Sequence, residues 1–544
     1  MYFCNMLNTL IISLFSLLLL ISGCSGNNSD RQKKILNINF YSPLTSLDPA
    51  YASNQNNIWI VNQLFDGLVR FDSSLTITPS IAKTWESSDD LTTYTFVLRN
   101  DVFFHKHVVF GEQKTRKVTA YDFEYSLNRI RDPKTASPGA WIFNDKTNDS
   151  SFKALNDTVF KITLTKPFPP FLSLLAMQYC SVVPHELIKK YGKDFRENPI
   201  GTGPFVFNLW KENERLILWK NNNYFIPHLA LLDAVTVQFI YDKQSEFLEF
   251  LKGKIHLINN IDGTYKDDLI TKNGKLKPKY ASQANLITKA QLNTEYLGIL
   301  VDKDSPISQN SILKDLRIRK AINYGINKKK MMLYLRNNIG TPSEKGIIPI
   351  GLRSHASSKI GYTYDFKRAQ DLIADVKSDG LNLSEEIILL TTPTYKDLTE
   401  FIAKELNSLG LNVKIEVSPG SALRQKVAKS QALFFRASWI ADYPDGENYL
   451  SLFYSKNFAP IGPNYTHYQN NEFDDLYERS LKTKSLEKRN SMYQKMDSLL
   501  MSEAPIVPLY YDQIVLLVKP EILNLKANPL NLLDLRGVDI DMNN

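Results

Sequence analysis

Leu10 to Ile21 read LIISLFSLLLLI, and this short apolar run constrains everything that follows it. A helix needs about 20 such residues to cross a bilayer, whereas twelve is the length of the apolar core of an export signal. The rest of the chain therefore folds outside the membrane. At 544 residues it exceeds the about 250–300 at which one hydrophobic core stops growing, so two or three domains are expected. Hydrophobic residues at 43% and charged residues at 22% exclude a long disordered chain, a collagen-like chain and a multi-span membrane protein. A net charge of +8 over this length gives no argument for nucleic acid. The 27 Tyr and 29 Phe suit an aromatic-lined cleft as well as ordinary core packing.

Directly after the apolar run stand Ile21-Ser22-Gly23-Cys24. Small residues before a cysteine resemble the lipobox of bacterial lipoproteins, in which the cysteine thiol is lipidated and becomes the new N-terminus. Residues 1–23 are then a lipoprotein signal peptide and 24–35 a polar tether. Met1 to Asn8 contain no Lys or Arg, a departure from the usual positive start of such signals. Of the three cysteines, Cys4 is lost with the signal and Cys24 carries lipid. Cys180 alone remains, so no intramolecular disulfide forms. Its surroundings, LLAMQYCSVVP, read as a buried small hydrophobe and not as a nucleophile.

Short β-rich segments alternate with amphipathic helices, so the class is mixed α and β. Tyr94–Leu98, Val159–Leu164, Arg215–Trp219 and Leu411–Val417 have strand patterns. Thr119 and Asp122 form a capping box ahead of a helix. Leu398–Leu409 is a helix ended by Gly410, and Glu487–Leu500 another, stopped by Pro505.

Enzyme motifs fail one by one. His185-Glu186-Leu187-Ile188-Lys189 lacks the second histidine of the HExxH zinc motif. Gly201-Thr202-Gly203-Pro204-Phe205 lacks both the third glycine of a dinucleotide fingerprint and the lysine of a P-loop. No GxSxG elbow occurs. His105-Lys106-His107 has metal-ligand spacing across a strand face, but a solvated loop accounts for it as well. No catalytic constellation and no cofactor site is found.

Several segments together resemble the family of extracytoplasmic solute-binding proteins that serve oligopeptide ABC importers. They are Ser46-Leu47-Asp48-Pro49, Leu64-Phe65-Asp66-Gly67-Leu68-Val69, Ile81-Ala82-Lys83-Thr84-Trp85-Glu86, Val118-Thr119-Ala120-Tyr121-Asp122-Phe123 and Asp132-Pro133-Lys134-Thr135-Ala136-Ser137-Pro138. Further on come Gly201 to Phe205, Arg317-Ile318-Arg319-Lys320-Ala321-Ile322, Trp439-Ile440-Ala441-Asp442-Tyr443-Pro444-Asp445 and Ala504-Pro505-Ile506-Val507-Pro508-Leu509-Tyr510-Tyr511. The resemblance implies a two-lobed periplasmic-binding-protein clamp, type II-like and of cluster C, with an extra inserted domain. Residues 36–66, 186–290 and 512–544 would form a discontinuous lobe I, 67–185 the inserted domain and 291–511 lobe II. It further implies a monomer, not an enzyme, held to a bacterial membrane in the cell envelope or periplasm by its lipid. Its partners would be an oligopeptide ligand, an ABC permease and the ATPase subunits of that permease.

The same resemblance implies the site. Asp442 falls where the family pairs a carboxylate with a peptide's α-ammonium; its other reading is a turn cap before Pro444. Trp439 falls at a cleft tryptophan, or is a core residue. Arg436 falls at an arginine that meets a ligand carboxylate or a nearby acid. Tyr443, Tyr510 and Trp141 complete the expected lining. Gly139 stands where peptide binders carry an aromatic, and Pro419-Gly420 where many members are acidic and aromatic. Haem, a metal–chelate or a sugar is the alternative ligand on the same fold; a protein partner at the cell surface is the alternative role.

Overall fold

The computed structural model describes residues 33–356 and 360–542. The signal at 1–23, Cys4, Cys24 and all of the tether up to residue 32 lie outside them. Among the described residues no helix is long and apolar enough to cross a membrane.

The predicted elements form where the local chemistry places them. The strands occupy Thr93–Leu98, Val159–Thr163, Arg215–Lys220 and Asn412–Val417. At helix Ala120–Arg131 the Thr119 backbone N–H donates to Asp122 Oδ2 at 2.8 Å, closing the capping box. Helix Lys396–Ser408 ends at Gly410, whose φ of +91° only glycine adopts freely. Helix Leu486–Glu503 runs three residues past the predicted Leu500, because Ala504 takes the left-handed cap before Pro505.

One eleven-stranded sheet passes through two separate cores. Its order is Asn412–Val417, Glu386–Thr391, Phe434–Ile440, Asn285–Ile299, Ile506–Val518, Leu257–Asn259, Ile35–Asn39, Ala234–Gln238, Arg215–Lys220 and Phe205–Lys211, with Thr341–Pro342 added against Ile506–Val518. The two long central strands carry the connection. They pair from Asn285↔Val518 to Ala290↔Gln513, lose register, and resume from Thr294↔Tyr511 to Gly298↔Ile506. On one side of this break the pair borders strand Leu257–Asn259; on the other it borders Phe434–Ile440.

The apolar residues sort accordingly. Leu36, Leu64, Val235 and Leu516 belong to the core on the first side, and Leu297, Ile322, Leu406, Phe434 and Leu509 to that on the second. A further core, with Phe96, Phe123, Phe160 and Cys180, lies under a four-stranded antiparallel sheet ordered Ala82–Ser87, Thr93–Leu98, Val159–Thr163, Phe152–Asn156. Tyr443 of the second side is buried in this added core.

Candidate ligand-binding site

Strand Phe434–Ile440 ends where Ala441 N–H donates to Leu292 O, and the chain then turns through Asp442 to Asp445. Asn448 holds the turn: its Oδ1 accepts from Trp439 Nε1 at 2.8 Å and from the Asp442 backbone N–H at 3.2 Å. The two residues expected to meet ligand are therefore fixed to one amide. Asp442 is exposed to solvent at its surface, yet the surrounding protein partly desolvates its carboxyl. That burial pushes its carboxyl above the ordinary range, with a hydrogen bond from Asn448 acting the other way. Among the described residues no Lys or Arg ion-pairs with it, whereas the nearby, partly buried Asp445 faces Arg489 at 3.6 Å. Across the cleft, burial first and then the charge of Asp442 push the Tyr179 phenol up to about 12.

Tyr443 points the opposite way from Asp442. Its ring stacks on Trp141 at 6.5 Å and 27°, and meets Phe168 edge-on at 6.1 Å. Its hydroxyl donates to Glu447, which Tyr477 also reaches. Glu447 is fully desolvated; burial raises its pKa and these two phenols oppose the shift. Gly139 explains part of the geometry here. A Cβ at that position would lie 2.5 Å from the Tyr179 ring, so Tyr179 occupies the space that an aromatic at 139 would fill. Gly420 differs: a Cβ there would meet only Arg424 Nη1, at 3.5 Å.

Arg436 and Tyr510 lie in a buried network beside the strand break. Arg436 Nε donates to Glu295 Oε2 at 3.1 Å, and its guanidinium lies 3.4 Å from the Tyr395 ring centroid. Burial pushes the Glu295 carboxyl up and Arg436 pulls it back. Tyr510 is fully buried and accepts from Arg336 Nη1 at 3.2 Å. Arg336 in turn pairs with Asp512 at 2.5 Å, and Asp512 sits inside the register break. The arginine expected at the ligand is thus held by an acid, which is one of its two expected partners. Glu295 escaped the sequence reading; its signal was the one acidic residue inside the strand Asn285–Ile299.

The remaining motifs resolve structurally. His105 is buried and not solvated: its Nε2 donates to Gly203 O at 3.0 Å and its Nδ1 accepts from Gly201 N–H. Burial pushes its pKa down to about 4, so it stays neutral. Gly201 and Gly203 are required by close approach, since a Cβ on either would strike the backbone of Gln63 and Leu64 within 2.4 Å. Glu186 of the incomplete zinc motif is held by Arg116, which also forks onto Asp122. Cys180 is buried and its thiol is pushed well up, as an inert core residue requires. Among the described residues no group of three or more His, Cys, Asp or Glu is placed to hold a metal ion.

Two cores joined by a pair of long strands, with an added antiparallel domain closing on a turn carboxylate, define a two-lobed solute-binding clamp. Residues 76–460 match the family described as bacterial extracellular solute-binding proteins, family 5 Middle, and the chain belongs to it. It is 25% identical to the dipeptide-binding protein DppE of Bacillus subtilis, over 95% of this chain and 96% of that protein. It is 24% identical to the glutathione-binding protein GsiB of Escherichia coli K12, over 87% and 88%. Among solved structures it superposes on HbpA2 of Haemophilus parasuis with a TM-score of 0.82, at 20% identity, covering 93% of this chain and all of that one. On DppA of Helicobacter pylori in complex with the peptide STSA the TM-score is 0.74, at 25% identity, covering 93% and 98%.

Proposed function

We propose that this protein is the lipid-anchored substrate-binding component of an ABC importer, capturing oligopeptides between its lobes and delivering them to a permease. The observation that carries the reading is Asp442: an accessible carboxylate in desolvating surroundings, with no Lys or Arg ion-paired to it among the described residues. A charged ligand end leaving water needs an opposite charge, or a desolvation cost of several kcal/mol stands uncompensated. A free peptide α-ammonium supplies that charge. Arg436, already held by Glu295, offers no matching anchor for a carboxyl end, which favours peptides of varied length over a fixed dipeptide. Relatives named for dipeptides and a neighbour in complex with STSA support the peptide class.

In this reading lobe I comprises 36–66, 186–290 and 512–544, the inserted domain 67–185 and lobe II 291–511. The lobes close about the break at Ala290/Thr294, a hinge transition driven by tighter ligand contact in the closed form. Cys24 carries the lipid that holds the protein to the cell envelope, and the protein acts as a monomer. Trp439 and Trp141 line the cleft on either side of Asp442.

Native mass spectrometry of the protein beginning at Cys24, before and after partial unfolding, tests the function. Ragged additions matching short peptides, lost on unfolding and restored by added peptide, are expected. One sharp addition matching glutathione, haem or a metal–chelate would replace the oligopeptide ligand. No addition, with no stabilisation by peptide mixtures, would overturn the transport role in favour of a protein partner.

A further inference from the structure

A cavity of about 430 Å³ is lined only by residues within 62–80, 176–181, 229 and 524–537, and Asp442 is not among them. None of its lining comes from 291–511, so lobe closure does not build it. Its size falls in the range of small-molecule pockets and far exceeds the room needed for one ordered water.

One wall is the short hairpin of strands Val69–Phe71 and Ile77–Pro79. Arg70 pairs directly with Thr78, and Ser80 N–H donates to Leu68 O. Cross-strand partners and alternate residues share a face. Arg70, Thr78 and Ser80 therefore point together, and all three line the cavity. Two of them have unmet polar atoms there. Arg70 Nε and Ser80 Oγ are buried without a hydrogen-bond partner, and Ser80 is only 3% exposed. Among the described residues the Arg70 guanidinium closes no ion pair within 4 Å, although the charges of Asp534 and Asp66 reach it.

The acids that line the cavity are already engaged. Asp66 accepts from Thr202 Oγ1, Tyr224 Oη and Arg536 Nη1. Asp534 binds Arg536 Nε at 2.7 Å. Asp72 accepts the backbone amides of Ser74 and Thr76 in its own turn. Phe71, Met177 and Leu533 are among the apolar residues that line it.

We propose that this cavity is a second binding site, for a small organic carboxylate with an apolar body, its carboxylate forked by Arg70 and held by Ser80. The Nε edge of a guanidinium matches a carboxylate bidentately, and an unmet buried donor gains most from such a partner.

The test uses 4-bromobenzoate on the protein beginning at Cys24. Titration calorimetry is expected to give a Kd of about 1 mM or tighter, and the bromine's anomalous peak to fall inside the cavity. Arg70→Ala is expected to weaken binding by about tenfold or more, with Ser80→Ala acting in the same direction and peptide affinity unchanged in both. Because Ser80→Ala leaves the hairpin's charge intact, it remains informative if Arg70→Ala unfolds. No heat of binding up to about 10 mM, a bromine peak elsewhere, or affinity unchanged in both variants would overturn the site. The outcome is independent of whether the interlobe cleft takes peptide.

Discussion

The ring of Tyr443 stacks on that of Trp141, 6.5 Å away and inclined by 27°, although 302 positions of sequence separate them. Asp442, the neighbour of Tyr443, is exposed. A ligand held by Asp442 thus contacts the same turn whose next residue enters the added core. Trp141→Ala removes this aromatic pair, worth about 0.5–1.5 kcal/mol beyond its buried area, which joins residue 141 to the turn beside Asp442. Peptide affinity is expected to fall by about threefold to tenfold. Small-angle scattering should show the unliganded protein more open than the wild type. An unaltered scattering profile together with unaltered affinity would sink the coupling.

Asp442→Asn keeps the shape of the turn and removes its charge. Charge-assisted hydrogen bonds contribute about 1.5–3 kcal/mol, so affinity for free-amine peptides is expected to drop by about ten- to a hundredfold. N-acetylated peptides, already poor ligands, should change little. Equal losses for both peptide classes would mean that Asp442 only shapes the turn.

The same carboxyl sets a pH dependence. Burial raises its pKa in the free protein, and an ammonium ligand binds the ionised form. Affinity should be level near neutrality and weaken on acidification, starting above the ordinary aspartate value of about 3.9. In Asp442→Asn this slope should vanish. Persistence of the slope in the variant would assign it to another group.

Arg436 and Glu295 form a buried pair whose removal is asymmetric. Arg436→Met alone leaves Glu295, 2% exposed, as an uncompensated charge and should cost about 3–5 kcal/mol in urea unfolding. Adding Glu295→Gln should recover most of that loss. If the double variant is no more stable than the single one, the pair is not the source of the penalty.

What could be read along the chain was what local chemistry dictates. Thr119 with Asp122 and Gly410 at its positive φ mark helix ends through contacts a few residues long. The strands followed their alternation. The site needed long-range register that no local pattern carries: Glu295 reaches Arg436 because Leu297 pairs with Arg436 across two strands. His105 reads as part of a solvated loop because the seven histidines are scattered along the chain, yet the glycine-only approach of Gly201 and Gly203 buries it. Tyr443 read as cleft lining and is core, because the domain that covers it lies early in the sequence.

Asp497 gives a final pH test, away from the cleft. It is 1% exposed and accepts the backbone N–H of Ile347 at 2.8 Å and of Ile348 at 3.4 Å. Burial outweighs those two donors and pushes its carboxyl up to about 7. The folded state therefore keeps a proton that the unfolded chain has already lost above the ordinary value of 3.8. Stability from this group is present below that value and is lost as pH rises toward 7, by up to about 1.4 kcal/mol per pH unit. Asp497→Asn keeps an oxygen for the amides and cannot ionise. Relative to the wild type it should be more stable at pH 8 and nearly equal at pH 4, measured by urea unfolding at both values. A variant equally destabilised at both pH values would show that the carboxylate is stabilised by its two amides and never carries the proton.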